Sequence, residues 1–269
     1  MKEPRYLALR HKTVRKANDL IQKSRFDFST QQQKILLYLI SQVDSKDNDF
    51  APFRFSISEF CRVCGIHAES GKNYKDLKAA ILGIRNQGFW LSLPDGRLRT
   101  VAWIRDAEID PGNGTISILL HDDMRPFLLQ LKRNFTTYEL VYTLHFRSKY
   151  TIRMYELIKS IHYHEQENYE REFTIEELRD RLGVVKYPEY RDMKKRVLLP
   201  SIDEINEFSD KTVSMEEVKR GRKVISIILS IETKETLDVI RIRDQIDKSL
   251  GLDPNQMTLW DQLEAAGHV

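Results

Sequence analysis

Two tandem α+β domains of one design, related by internal duplication, are predicted by three features of this sequence. A twelve-residue segment occurs twice, each copy is flanked by helical patterns of matching type, and each ends in two strands around a tight turn. Residues 55–66 read FSISEFCRVCGI, and 118 positions later residues 173–184 read FTIEELRDRLGV. Phe, Ile, Glu and Gly recur in register, with Thr/Ser, Leu/Phe and Val/Ile filling the slots between them.

The flanks extend the repeat. Before the first copy, STQQQKILLYLISQV (29–43) offers Ser29 or Thr30 as a helix cap, then Ile35, Leu36, Leu39, Ile40 and Val43 at helical spacing. Before the second, RSKYTIRMYELIKSI (147–161) repeats the pattern with Ile152, Tyr155, Leu157, Ile158 and Ile161. The shift of 118 lays Leu39-Ile40 on Leu157-Ile158. Each repeated segment opens as a short strand (Phe55 and Ile57; Phe173 and Ile175). It caps at Ser56/Ser58 or Thr174 and continues as a two-turn helix, with Glu59 or Glu177 at the positive helix end. Gly65 and Gly183 stop these helices, because a left-handed residue costs glycine least.

A longer helix follows in each copy, NYKDLKAAILGIRNQG (73–88) and EYRDMKKRVLLPSIDEINEF (189–208). The hairpins come next: FWLSL, turn PDGR, LRTVAWI in the first copy, and VSMEEV, turn KRGR, KVISIILSI in the second. Helix, strand, short helix, glycine turn, long helix and hairpin is the order of a winged helix-turn-helix.

At 269 residues the chain can bury two cores, and with 41% apolar and 31% charged residues it reads as globular and not disordered. The longest apolar run, ILLYLI, is far too short for a membrane span, and MKEPRYLALRHK lacks a signal core. Two cysteines fit a reduced, cytoplasmic protein. The expected division is a basic segment 1–28, a first winged-helix domain 29–135, a second 136–232, and an acidic helix and tail 233–269. Eight Lys/Arg against three Asp/Glu in 1–28 point to polyanion contact, with residues 1–13 as a basic arm or a swapped strand. Four against eight in 232–269 point to a protein partner.

The long helices carry the candidate interface. Tyr74, Leu77, Ile81 and Ile84 share one face of the first, leaving Lys72, Lys75 and Asn86 on the other with Lys78 at the border. In the second, Met193, Val197, Ser201, Ile205 and Phe208 form the buried stripe; Lys195 and Arg196 point away, with Arg191 and Lys194 at its edges. Lysines neutralise phosphates, and an arginine fork can read guanine in the major groove. Pro200 predicts a kink. Lys219, Arg220 and Arg222 sit at the second wing tip, suited to the DNA backbone or minor groove.

From about residue 14 to 231, the ordered blocks FSTQQQKILLYLISQ, FSISEFCRVCGI, YTIRMYELIKSI, FTIEELRDRLGV, YRDMKKRVLLPSIDEINEFSD and KRGRKVISIILSI resemble the iteron-binding plasmid replication initiators. The resemblance implies two winged-helix domains that bind direct repeats at a plasmid origin, with Arg191, Lys194, Lys195 and Arg196 in the principal reading helix and Lys72, Asn73, Lys75 and Lys78 in the first domain's counterpart. It also implies dimers formed through the first domain that repress the initiator's own promoter, and recruitment of the host initiator and helicase. A transcriptional repressor without a replication role is the alternative on the same fold.

Other motifs compete. His162-Tyr163-His164 with Tyr190-x-x-x-Lys194 has the elements of a rolling-circle nicking enzyme, but the histidines follow a helix instead of sharing a strand face. Cys61-x-x-Cys64 with His67 lacks a second ligand pair for zinc, and register puts Cys64 in a core slot and Cys61 in an exposed one. His121-Asp122-Asp123 reads as helix N-terminal carboxylates. No phosphate-binding glycine loop occurs, so no cofactor, metal or catalytic residue is expected. In the tail, TKETLDVIRIRDQIDKSLG (233–251) predicts a helix with Leu237, Ile240 and Ile246 along one side. Gln256, Leu259 and Trp260 match a short sliding-clamp peptide.

Overall fold

The computed structural model describes residues 5–63, 71–92, 95–161 and 168–249, with side chains for all of these except 5–7, 71–74 and 92. The chain enters through α1 (Arg5–Arg10), β1 (Thr13–Ala17) and α2 (Asn18–Lys23). The first copy follows as α3 (Thr30–Ser41), β2 (Phe53–Ser56), α4 (Ile57–Val63), α5 (Gly71–Asn86), β3 (Phe89–Ser92), β4 (Leu98–Val101), β5 (Ile104–Asp110) and β6 (Thr115–Leu120). A 3-10 turn (Asp122–Met124), α6 (Arg125–Leu128), β7 (Phe135–Glu139) and α7 (Leu140–His145) connect to the second. That copy holds α8 (Lys149–Ser160), β8 (Asn168–Thr174), α9 (Ile175–Leu182), α10 (Tyr190–Met193), a π-helical turn (Lys194–Leu198), α11 (Leu199–Phe208), β9 (Lys211–Arg220) and β10 (Lys223–Thr233). Finally comes α12 (Thr236–Ser249).

The expected caps form. Ser29 accepts from the Gln32 N–H at 3.2 Å while the Gln32 side chain accepts from the Ser29 N–H at 2.9 Å, a reciprocal box that starts α3. Ser56 accepts from the Glu59 N–H at 3.0 Å and Thr174 from the Glu177 N–H at 3.1 Å, so Ile57 and Ile175 open helices and do not end strands. Gly183 ends α9 at φ 67°, the left-handed cap predicted for it. Gly65 lies outside the described residues. Leu39, Ile40, Leu157 and Ile158 are all buried, as the repeat demands.

Sheet pairing changes one expectation. In the second copy the sheet order is β8-β10-β9, so the strand before the short helix pairs with the last strand of the wing. In the first copy the order is β2-β6-β5, and among the described residues the expected wing β3–β4 forms a separate two-stranded sheet. The structural counterpart of β9–β10 is therefore the later hairpin β5–β6, and β3–β4 is inserted before it. Both hairpins bury alternate residues, Phe89, Leu91 and Val101 in β3–β4 and Ile116, Ile118 and Leu120 in β6, and it is the pairing of β2 with β6 that distinguishes them. The first wing is also acidic, carrying Asp106, Glu108 and Asp110 toward solvent.

Of residues 1–13, expected as an arm or swapped strand, residues 5–10 form a helix and 1–4 lie outside the described residues, while 13–28 are built into the fold. β1 pairs antiparallel with β7, Val14, Leu20, Ile21 and Phe28 are core residues, and the cations are held within the fold. Arg10 donates to the Arg62 carbonyl at 2.6 Å, and Arg15 lies 3.9 Å over the Phe135 ring and donates to the Leu131 carbonyl at 2.7 Å. Arg25 pairs with Asp180 at 2.6 Å. Arg10, Arg15, Lys16 and Arg25 thus serve internal contacts, while Lys2 and the side chain of Arg5 lie outside the described set.

The two copies share one continuous apolar core. At their junction, α8 carries two buried charges. Arg153 donates to the carbonyls of Ile21 (3.3 Å), Ser24 (3.2 Å) and Arg181 (3.0 Å), and its guanidinium lies 4.6 Å over the Phe26 ring. Burial lowers its pKa to about 10. One turn on, Glu156 accepts from both Lys16 of β1 and the Tyr138 hydroxyl of β7. Desolvation pushes the Lys16 pKa down and the neighbouring Glu156 charge opposes that. On the far side of α8, Tyr155 and Lys159 each reach Asp210 at 2.8 Å, tying the helix to the start of the second hairpin.

α12 is helical as predicted but turned differently. Ile246 is buried, while Leu237 and Ile240 are exposed and Val239 and Ile242 take the packing role. His11 reaches Asp247 at 3.0 Å, and Arg243 pairs with Glu139, which fixes the helix against β7 and α7.

Glu156→Ala is expected to destabilise the protein by about 3–5 kcal/mol in chemical denaturation, because it strands the buried Lys16 ammonium. The triple replacement Lys16→Met, Tyr138→Phe, Glu156→Leu should recover most of that loss. A triple variant as unstable as Glu156→Ala would show that packing, and not the stranded charge, dominates.

Candidate nucleic-acid interface

The second long helix, residues 190–208, buries Met193, Val197, Leu198, Ser201, Ile202 and Ile205 and leaves Phe208 partly covered, the predicted stripe with two additions. Its outward side carries Arg191, Lys195 and Arg196, all exposed and without an ion pair among the described residues. The predicted kink at Pro200 takes the form of a π-turn just upstream. There the Leu199 N–H bonds the Lys194 carbonyl, five residues back, directly before Pro200, which has no N–H to offer the turn behind it. Such a turn inserts one residue. Three positions separate buried Leu77 from buried Ala80 in α5, but four separate Met193 from Val197. Lys195 and Arg196 lie side by side on the outward surface.

What precedes this helix is also built. The Arg179 guanidinium donates to the carbonyls of Val184 (3.4 Å), Tyr187 and Pro188 (2.8 Å), holding the loop that aims the helix. Arg196 lies 5.9 Å over the Tyr187 ring. The register with Cys61 had marked the Arg179 slot as merely exposed, and only the folded loop gives it this task. Cys61 itself is 2% exposed, a correction to its expected solvent position, and burial raises its thiol pKa.

The wing adjoins the helix through an acid that sequence reasoning missed. Glu217 of β9 accepts from Lys194 at 2.6 Å and from the Tyr190 hydroxyl at 2.8 Å, and pairs with Lys219 at 3.3 Å. The Lys194 and Tyr190 hydrogen bonds hold the Glu217 carboxyl at about 2, well below its ordinary value. The bridge therefore persists at ordinary pH and is lost only as pH falls toward 2. Two of the expected cations, Lys194 and Lys219, are thus partly neutralised within the protein. Tyr190 is pushed up, by burial first and by Glu217 second, the opposite of what a nucleophilic tyrosine needs. Its assumed partners His162 and His164 lie outside the described residues.

At the wing tip, Gly221 takes φ 64° in a two-residue turn that leaves Arg220 and Arg222 exposed. A bulge between Val224 and Ser226 breaks the ladder close behind it.

In the first copy, α5 buries Leu77, Ala80, Ile81 and Ile84 and exposes Lys75, Lys78, Ala79, Leu82, Arg85 and Asn86. Lys72 and Asn73 lie on this helix, but their side chains fall outside the described set. Gln256, Leu259 and Trp260, together with Cys64 and His67, are outside the described residues altogether. His121 caps the 3-10 turn, accepting from the Asp123 N–H at 3.2 Å, and Asp122 and Asp123 pair with Arg125 and Arg99 at 2.9 Å each. That is the helix-terminus reading of this cluster. No helix among the described residues is long and apolar enough to cross a membrane.

Comparison with known proteins places these observations. Residues 13–159 match the family model described as initiator replication protein, WH1, and residues 174–231 match initiator Rep protein, WH2. A replication initiation protein of Escherichia coli is 23% identical over 241 residues, covering 84% of this chain and 72% of its own. The crystal structure of the Pi initiator protein in complex with iteron DNA superposes with a TM-score of 0.71 at 18% identity, over 84% of this chain and 99% of that one. The first match begins at β1, in keeping with the place of that strand inside the fold.

Glu217→Gln is expected to release Lys194 and Lys219 toward phosphates. The log–log salt dependence of binding to random duplex should then steepen by up to about 2, at ~0.9 per phosphate gained. An unchanged slope would mean that both lysines already leave Glu217 when DNA binds.

Proposed function

The chain belongs to the initiator replication protein family, and on that premise we propose that it starts plasmid replication by binding direct repeats at the origin through both long helices. The observation that carries this reading is the outward face of Arg191, Lys195 and Arg196 beside the cationic tip Arg220–Arg222, on a helix whose other face is buried. The Pi initiator, a likeness in fold, is described in complex with iteron DNA. On this reading residues 136–232 are the principal reader, with Arg196 hydrogen-bonding a base edge, and residues 29–135 contribute α5 through Lys75 and Lys78. Two helices entering successive major grooves ~10 bp apart span a site of roughly 20 bp.

Dimerisation through the first domain for repression of the initiator's own promoter belongs to the same proposal. So does recruitment of the host initiator and helicase, and both rest on the family resemblance. Gln256, Leu259 and Trp260 would attach the tail to the sliding clamp, with the two apolar side chains as anchors.

The test is selection of bound fragments from random DNA by the full-length protein, which should return direct repeats. Arg196→Ala should relax specificity at one base position by about 1–3 kcal/mol, while Arg222→Ala should weaken selected and random DNA alike. Equal losses on both DNAs for both variants would remove the division between reader and clamp. Separately, a peptide of residues 250–269 should bind the clamp and lose binding on joint Leu259→Ala and Trp260→Ala substitution. An inert peptide ends the clamp proposal.

A further inference from the structure

Each long helix exposes one leucine next to its outward cations. Leu82 in α5 is 54% exposed and Leu199 in α11 is 41% exposed. A single exposed leucine is ordinary on a protein surface. These two, however, occupy the same slot. Each directly follows the buried pair of its helix, Ala80-Ile81 or Val197-Leu198. Each also stands four residues after an exposed lysine, Lys78 or Lys195, and so lies one turn along the same outward stripe. The equivalence holds only because the π-turn shifts the second helix by one residue. Without that shift the slot matching Leu82 would be Leu198, which is fully buried.

The neighbourhood determines what could cover them. Before Leu199 stand Lys195 and Arg196, with Asp203 one turn after it, and around Leu82 stand Lys75, Lys78, Ala79 and Arg85, all exposed. A small apolar patch adjoining cations on a helix of groove-entering geometry is complementary to one major-groove feature, the thymine C5-methyl, which lies between phosphate backbones.

We propose that Leu82 and Leu199 are specificity-determining residues that read thymine methyl groups, one in each of two successive major grooves. The inference rests on the proposed DNA reading and adds bases that the cations cannot specify. Lysines and arginines report phosphates and guanine, whereas leucine has no hydrogen-bonding capacity and discriminates by the methyl alone. The π-turn then has a sequence-reading consequence: it keeps an apolar reader in register while adding a second cation upstream.

The experiment uses the full-length protein and a fragment selected from random DNA. Each thymine of the bound site is replaced in turn by deoxyuridine, which removes only the methyl. Wild-type protein is expected to lose about fourfold in affinity at one or more thymines in each half of the site, as for one buried methyl-sized group. Leu199→Ala should abolish the penalty at thymines in one half and leave the other half's intact, and Leu82→Ala should do the converse. Both variants should keep the wild-type salt dependence, since no phosphate contact is removed, and both should keep wild-type unfolding midpoints, since neither leucine is buried. Deoxyuridine that is neutral throughout, or penalties undiminished in both variants, would overturn the proposal while leaving DNA binding in place. Failure to enrich any fragment would overturn it together with the reading on which it rests.

Discussion

Two charges buried on one helix hold the two halves of this protein in a common frame. Arg153 and Glu156 lie one turn apart on α8, and neither could be buried alone, since an unpaired ion in the interior costs several kcal/mol. Each therefore has to find partners, and the partners come from elsewhere in the chain. Arg153 takes carbonyls from the segment after β1 and from the end of α9, while Glu156 takes Lys16 from β1 and Tyr138 from β7. Dispersion contacts alone would let two winged helices slide across their apolar junction. Hydrogen bonds from a planar guanidinium to three fixed carbonyls allow far less freedom.

The same economy governs the DNA-facing side. A helix can present cations only as well as its opposite face is packed, and residues 190–208 bury six side chains to hold three cations outward. The loop before it is set by Arg179, and the wing beside it is set by Glu217. Glu217 takes two cations out of the free field, so the exposed charge is concentrated at Arg191, Lys195, Arg196 and the wing tip. The first copy differs in kind: its structural wing is acidic, and an inserted hairpin carries exposed Trp90 and Leu98. A duplicated fold has diverged into one half with a cationic wing and one without.

Much of this was legible in the residues. Caps at Ser29, Ser56 and Thr174, the left-handed stop at Gly183 and the buried stripes of both long helices follow from spacing and short-range hydrogen bonding. The outward placement of Lys195 and Arg196 follows from the same periodicity. The wing of the first copy did not, because FWLSL…LRTVAWI and IRDAEID…TISILL alternate equally well and each flanks a turn. Local pattern cannot choose between two competent hairpins; the partner of β2 chooses, by offering Phe55 to the buried face of β6. Leu237 and Ile240 were misread for a related reason, since a helix pattern defines a stripe but not the neighbour that will cover it.

The sequence by itself determined the repeat, the order of elements, the helix ends and which face of each reading helix is apolar, because those depend on interactions between residues a turn or two apart. Tertiary structure alone decided the pairing of β2 with β6, the engagement of the basic N-terminal segment, the bridge at Glu217 and the interlock around Arg153 and Glu156. Each of these joins groups distant along the chain, and their energy depends on burial, which becomes defined only when the surrounding surfaces have closed.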